Sequence, residues 1–496
     1  GAVDTGTGRA AAEVTYPFGE DAGFWISGGG IHGQPGDFFS PARLGSAEAP
    51  DGVARGVGGF AARTTLGKAW WRDLTFQWYY HSRDKQVATG AYRTVFGAPR
   101  TRMQGTRAFA EVRWEPAFGR NVRLMARTWY DHYGYEGAFA YRDATRGMVH
   151  ESHIGHWIGV EARTNVKAPW GLRFTGGGGY ENRFLDHSEG RDQSGRPTYL
   201  DEDHTGQQVF AYASADWGPA AWVLATAGVR FDGRWVDGLV RSDGTSNDRF
   251  MYSVNPRAAL RFHPVPEGTL KLMAGRAFRA PSVYELTYSD GGVTQARSPD
   301  LDPESIWTGE VEYSHRLPEG FTVLAAGFMS RVAGLIEAVG GGPGVAIRLV
   351  NATDALWTAG AEAEVRREFR GGWLVSAQYS FQRSRFGGID GTEPQNAPEH
   401  IAALKLVAPI AGRALRVATR AAFETGRLDR FGDRTPRALV WDLALSGEVA
   451  AAHLRYAVGA RNLLDWRYSH PLGEEVDDPR RLQPGRTLFA ELGFFY

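Results

Sequence analysis

The sequence predicts an all-β protein: a transmembrane antiparallel β-barrel of about 22 strands, about 21 of them in this chain, with short periplasmic turns and long extracellular loops. Three observations predict it. Apolar and polar residues alternate with period two from end to end, short and long connections take turns between the alternating segments, and aromatics are abundant although no long apolar run exists.

Composition narrows the class first. Nothing in the 496 residues reads as a linker, so one large architecture, a barrel domain over 1–496, is favoured over several small ones. The 56 Lys and Arg balance 56 Asp and Glu, which removes any electrostatic bias toward nucleic acid. Without cysteine, thiol catalysis, Cys-ligated metals and disulfides are excluded. The 16 Trp, 19 Tyr, 27 Phe and 64 Gly suit strands, tight turns and aromatic girdles. A helical span needs about 18 consecutive apolar residues, and none is present at a mean hydropathy of −0.36. A barrel strand needs only about 9–11 residues with every second one apolar, so it passes unseen by that measure. Gly1 opens a polar stretch and no signal peptide stands there, so the chain reads as mature, trimmed or partial.

Alternating segments fall at 9–18, 23–32, 57–68, 72–82, 105–116, 120–132, 153–167, 171–184, 206–217, 220–232, 249–263, 268–277, 305–316, 320–335, 346–368, 372–384, 398–408, 413–425, 437–448, 451–462 and 486–496. Leu74, Phe76, Trp78 and Tyr80 oppose Thr75, Gln77, Tyr79 and His81; Leu415, Val417, Thr419, Ala421 and Phe423 oppose a face carrying Arg416, Arg420 and Glu424. A soluble sandwich or propeller alternates too, so the connections discriminate. Short turns at 18–21, 116–119, 318–320 and 370–372 contrast with long connections at 33–56, 84–104, 133–152, 186–205, 233–248, 277–304, 385–397 and 464–485. That asymmetry is how outer-membrane barrels are built. The strand count is odd, whereas bacterial single-chain barrels are even, and an open edge in lipid costs several kcal/mol per unpaired group. One strand is therefore expected from outside this chain, unless 346–368 divides in two at Asn351-Ala352-Thr353-Asp354.

At 275–288 the chain reads GRAFRAPSVYELTY, followed by Ser298-Pro299-Asp300-Leu301-Asp302-Pro303-Glu304. Near the end stand Ala460-Arg461-Asn462-Leu463-Leu464-Asp465, Gln483-Pro484-Gly485-Arg486-Thr487 and a terminal Tyr496. These segments resemble the boxes of TonB-dependent receptors, with Ser298 where Asn is usual. The resemblance is firm over 275–496. It implies a bacterial outer-membrane receptor that actively imports a scarce nutrient, energised by the TonB complex; a metal chelate such as a ferric siderophore or cobalamin is expected first, with oligosaccharides and peptides also open. It also implies a 22-strand barrel around an N-terminal plug. No plug is readable here, so the plug and first barrel strand are expected to lie outside this chain, as a fragment or a second chain. Phe278, Arg279, Ala280, Pro281, Asn462, Leu463, Gly485, Arg486 and Tyr496 are then structural family positions, with Arg279 able to pair a lumen carboxylate.

Candidate ligand contacts come from the aromatic run that begins at Trp129. Tyr133, Tyr135, Phe139 and Tyr141, read as an extracellular loop, supply broad contact area at little entropic cost. His150, His153 and His156 recur every third residue, but in an extended strand the first two point to opposite faces, so no metal site is assigned. Acidic clusters at 201–203 and 474–478 read as solvated loop charge. No histidine stands between the two boxes at 282–297, where haem receptors of the family usually carry one. No catalytic arrangement, phosphate loop or cofactor motif stands out, so neither enzyme activity nor a cofactor is expected. Expected partners are outer-membrane lipid and an extracellular small molecule. The alternative reading is a passive porin or secretion channel.

Overall fold

Alternation turns into pairing. The computed structural model describes residues 6–142, 147–192, 199–240, 244–340, 345–388 and 390–495, and within them every expected strand forms. Successive strands pair antiparallel in one sheet: Thr7–Pro17, Ala22–Gly33, Phe60–Trp71, Leu74–Gln86, Arg102–Trp114, Val122–Ala140, Met148–Lys167, Leu172–Asp192, Leu200–Ala220, Val223–Asp237, Arg249–Phe262, Gly268–Arg279, Glu304–Arg316, Phe321–Ala333, Leu356–Glu368, Leu374–Phe386, His400–Pro409, Arg416–Glu424, Ala438–Val449, Leu454–Arg461 and Thr487–Phe494. The sheet has 22 strands, but one is the two-residue piece Ala117–Phe118 inside a turn, which leaves 21 long ones.

The two ends of this series each have one neighbour. Thr7–Pro17 pairs with Ala22–Gly33, and Thr487–Phe494 pairs with Leu454–Arg461. As first and last of an odd antiparallel series they run in the same direction, and no pairing joins them among the described residues. All of Thr7–Pro17 is exposed.

The faces differ as the pleat requires. Outward stand Phe76, Val311, Met329 and Leu404, the last 62% exposed. Inward, a transverse ladder of charge-assisted bonds runs from Gln77 to Glu111 (3.0 Å), Arg127 (2.9 Å), Glu161 (2.6 Å) and Tyr212 (2.6 Å). An apolar outside around a polar inside is the inverse of a soluble fold. Large aromatics ring the turn end on the outside, among them Phe18, Trp71, Trp114, Trp170, Trp222 and Trp373. Amphipathic rings at that height mark the boundary between hydrocarbon and water. The turns themselves are tight: Gly171 has φ +74°, and a Cβ there would meet the Gly218 carbonyl oxygen at 2.2 Å.

Three expectations need correction. The connections 133–152 and 186–205 are much shorter than expected, because Val122–Ala140, Met148–Lys167, Leu172–Asp192 and Leu200–Ala220 reach 19–21 residues, and 233–248 is trimmed because Val223–Asp237 runs on to Asp237. Each lends its neighbours hydrogen-bond partners beyond the membrane, as where Tyr135 lies between Gly105 and His153, so extended backbone continues. Tyr133, Tyr135 and Phe139 therefore sit on a strand, and only Tyr141 lies in the loop. Segment 346–368 does divide near Asn351, but Arg348–Asn351 pairs with Ile336–Val339 in a side hairpin, so the barrel count is unchanged. The long connections also hold hairpins, Gly36–Leu44 with Asp51–Val57 and Ser469–Pro471 with Arg480–Leu482.

Candidate ligand site

The four overlong strands make a wall that stands above the apolar band at the loop end. Against its inner side lies a cavity of about 500 Å³. Its floor and wall come from alternate residues of neighbouring strands: Tyr133, Tyr135 and Phe139 from one, Glu151, His153 and Trp157 from the next, and Arg183, Asp186 and Ser188 from the third. Its roof is the segment after Arg279, including Tyr284 and Tyr288 of the short helix Val283–Thr287 and its C-cap.

That helix is held from several directions. Ser282 and Glu285 form a capping box, and Leu286 and Val283 pack into a cluster with Val236, Leu239, Met251 and Leu301. Arg279 bridges two elements, donating to Glu304 (both 2.8 Å) and to Glu285 (both 2.9 Å). Phe278 and Ala280 flank it, and Pro281 is fully buried. Beyond the helix, Asp290 accepts from the backbone N–H groups of Val293, Thr294 and Gln295 and from the Thr294 hydroxyl. The roof is thus an ordered element. The C-terminal box is also an organiser of loops. Asn462, 3% exposed, accepts from the Trp466 N–H and donates to the carbonyls of Trp466 and Pro484; the Leu463 N–H donates to Trp441, and the Arg486 N–H to Asp465. Gly485 lies where a Cβ would meet Asp465 Oδ1 at 2.3 Å. Tyr496 lies outside the described residues.

Inside the chamber, rings meet rings. Tyr284 and Tyr288 stack at 4.7 Å, and His153 contacts Tyr135 at 5.5 Å and Tyr284 at 5.9 Å. The Trp157 ring meets the guanidinium groups of both Arg107 (4.5 Å) and Arg183 (4.9 Å). Those cations are paired in turn with Asp131 (3.3 Å) and Asp186 (3.2 Å). Glu151 accepts hydroxyl hydrogen bonds from Tyr288 (2.5 Å) and Tyr199 (2.8 Å). Burial pushes the phenols of Tyr92, Tyr199, Tyr284 and Tyr288 upward, and the Glu151 carboxylate adds to the rise for all four. The chamber therefore offers protonated hydroxyls, ring faces and two engaged carboxylates, Glu151 and Asp186.

The expected ligand contacts Tyr133, Tyr135, Phe139 and Tyr141 all line this one cavity. The histidines do not converge: His153 faces the chamber and donates to or accepts from Ser188 (2.7 Å), while His156 faces outward against Tyr130 (2.6 Å). No group of three or more metal-ligating side chains occurs among the described residues. The acidic clusters are engaged in structure, with Glu202 on Arg297 and Asp478 on Ser40. Sequence reasoning passed over Glu151, Trp157, Tyr284 and Tyr288 as ligand contacts. The spacing Glu151, His153, Gly155, Trp157 on one strand face was the signal available for the first two.

A family model described as TonB dependent receptor-like, beta-barrel matches residues 3–463. The chain belongs to that family. The receptor is thus an outer-membrane protein of a family of receptors and transporters rather than enzymes. Solved structures share its fold at low identity. "Copper transporter OprC" superposes with a TM-score of 0.74 at 13% identity, covering 99% of this chain and 81% of that one. The siderophore receptor PiuA from Acinetobacter baumannii gives 0.72 at 13%, covering 98% and 79%; the ferric yersiniabactin uptake receptor FyuA from Yersinia pestis gives 0.73 at 15%, covering 98% and 77%. In the receptor's frame, the long-loop end carrying the chamber is the extracellular one.

Proposed function

We propose that the receptor captures a metal chelate, such as a ferric siderophore or cobalamin, in the aromatic chamber and passes it inward with energy supplied through TonB. One observation carries the reading: side chains from three neighbouring strands and a separate, ordered roof converge on a single extracellular cavity whose size suits a small molecule. Neighbouring structures named for copper and siderophores agree with a metal-bearing cargo. The energising step calls for a plug, and the barrel calls for one further strand between Thr7–Pro17 and Thr487–Phe494, antiparallel to both. Sequence outside this chain supplies both in our reading. The odd number of long strands and the two edges that lack a second neighbour, both counted among the described residues and running the same way, support it.

The chamber is tested by Tyr135→Ala and Tyr284→Ala, one ring from the wall and one from the roof. Quenching of tryptophan fluorescence by a ferric hydroxamate, a ferric catecholate and cyanocobalamin reads the binding. At least one chelate should bind the parent chain and lose affinity by roughly tenfold in each variant, as expected for an aromatic anchor in an enclosed pocket. Equal affinity in parent and variants would remove the chamber as the site.

A further inference from the structure

We infer that the barrel wall has a lateral cleft between Arg249–Phe262 and Gly268–Arg279, and that this cleft binds an anionic lipid of the outer leaflet, with the acidic head on Arg276 and the acyl chain along the outer face. The inference is independent of the chamber.

The cleft begins where a ladder stops. These two strands share only six rungs, the last of them joining Arg257 to Gly275. Both strands run on past it: residues 249–256 stay paired with Val223–Asp237, and residues 276–279 stay paired with Glu304–Arg316. At no other junction of the described barrel do both neighbours continue so far beyond their last rung. Pro256 supplies the local cause. The Val254 carbonyl points toward the neighbouring strand, where it accepts from Arg276 (2.8 Å); Pro256, two residues on, presents the same edge and has no N–H to donate, so the next rung cannot form. Higher up the roof closes the cleft, with Arg249 donating to the carbonyls of Pro299 and Leu301.

Arg276 crosses the opening. By alternation it belongs to the outer face, with Leu272 and with its ladder partner Trp307, 48% exposed. Its guanidinium nevertheless reaches the hydroxyl of Ser253 (2.6 Å), a buried residue of the inner face, and lines a lumen cavity of about 750 Å³. A side chain rooted outside therefore passes through the wall. At about 3.3 Å per residue and a tilt of about 40°, Arg276 stands about 20 Å above the turn before Gly268, toward the upper edge of an apolar band about 25 Å tall. Backbone left open at that depth has to be met by a polar group.

The groups around the opening select the ligand. Arg276 donates to neutral acceptors, the Ser253 hydroxyl, the Val254 carbonyl and the Asn255 amide oxygen, and no carboxylate pairs with it among the described residues. Of the carboxylates lining the cavities behind it, Glu161 is held by Arg127 and Asp232 by Arg230, and Glu310 forms no ion pair with Arg276. A half-buried guanidinium without an acid is completed by an anion from outside. The lips of the cleft are apolar: Phe250, Tyr252, Val254 and Trp307 are exposed on the outer face and give an acyl chain its seat. An acidic head and a hydrocarbon tail match the two parts, and the leaflet that bathes the lips is the source.

The absence of cysteine makes the test direct, because a single introduced thiol carries the only label. Tyr252→Cys on the lip and Leu404→Cys elsewhere on the outer face are each labelled with a bimane fluorophore, and the full chain is placed in bilayers of phosphatidylcholine. Two nitroxide-bearing lipids are titrated in, a monoacylglycerol phosphate and the uncharged monoacylglycerol of the same chain. At position 252 the phosphate should reach half-quenching at roughly tenfold lower mole fraction than its uncharged counterpart, and at position 404 the two should quench alike. Adding Arg276→Gln should abolish the difference at 252, and Arg276→Lys, which keeps the charge, should preserve it. Equal quenching by the two lipids at 252, the same phosphate preference at 404, or a preference that survives Arg276→Gln overturns the site. Should Arg276→Gln fail to insert, the contrast between positions 252 and 404 decides by itself.

Discussion

Glu151 shows how a single side chain organises the chamber. It takes hydroxyl bonds from Tyr199 and Tyr288, which come from different loops, and so ties wall to roof. Because burial raises these phenols, the folded chain keeps protons that the unfolded chain gives up above the ordinary phenol value of about 10. Their contribution to stability is complete below that pH and is lost as pH climbs beyond it, by up to about 1.4 kcal/mol per phenol and pH unit. Absorbance titration near 295 nm should show part of the 19 tyrosines silent at about pH 11 until denaturant is added. Simultaneous titration of all of them in the folded protein would contradict the burial. At this scale the sequence was informative about ring-rich positions, and Tyr133, Tyr135, Phe139 and Tyr141 share the cavity. It was silent on Glu151 and Trp157, whose partners are set by strand register and by a roof more than a hundred residues away.

Among elements, the roof is the one whose order depends on few residues. A five-residue helix is too short to persist by itself, so its capping box, the Arg279 bridges and the Asp290 turn hold it. Asp290→Ala removes the shared acceptor of three N–H groups and one hydroxyl, leaving buried N–H groups unpaired at about 1–3 kcal/mol each where water does not replace the carboxylate. Limited proteolysis should then cut within 280–303 while the strands stay protected, and chelate binding should weaken; an uncut, fully binding variant would show that the roof is held otherwise. The existence of each long barrel strand was legible, because each carries its own two-faced pattern, whereas the hairpin strands Gly36–Leu44, Asp51–Val57, Ser469–Pro471 and Arg480–Leu482 lay in segments read as loops. Strand length was not: the extensions to Ala140, Asp192 and Leu200 lie above the membrane, where no lipid enforces alternation and lateral pairing alone sustains the strand.

For the whole molecule, the question is what fills the barrel and its seam. If a plug and one strand accompany this chain in the cell, protein purified from outer membranes should show a co-purifying plug-sized segment by intact mass spectrometry. In planar bilayers that preparation should be nearly silent, whereas this chain refolded alone should conduct; large steady currents from the native preparation would favour a passive channel over a gated importer. The amino-acid order by itself determined the class, the strand count and the side of the membrane that carries the long connections, because hydrocarbon outside and water inside impose a local, period-two demand on each strand. Only the tertiary structure decided which rings share a cavity and which groups Arg279 and Asn462 fasten. Those outcomes depend on register between strands and on loops folding back over them, and both join residues that are far apart along the chain.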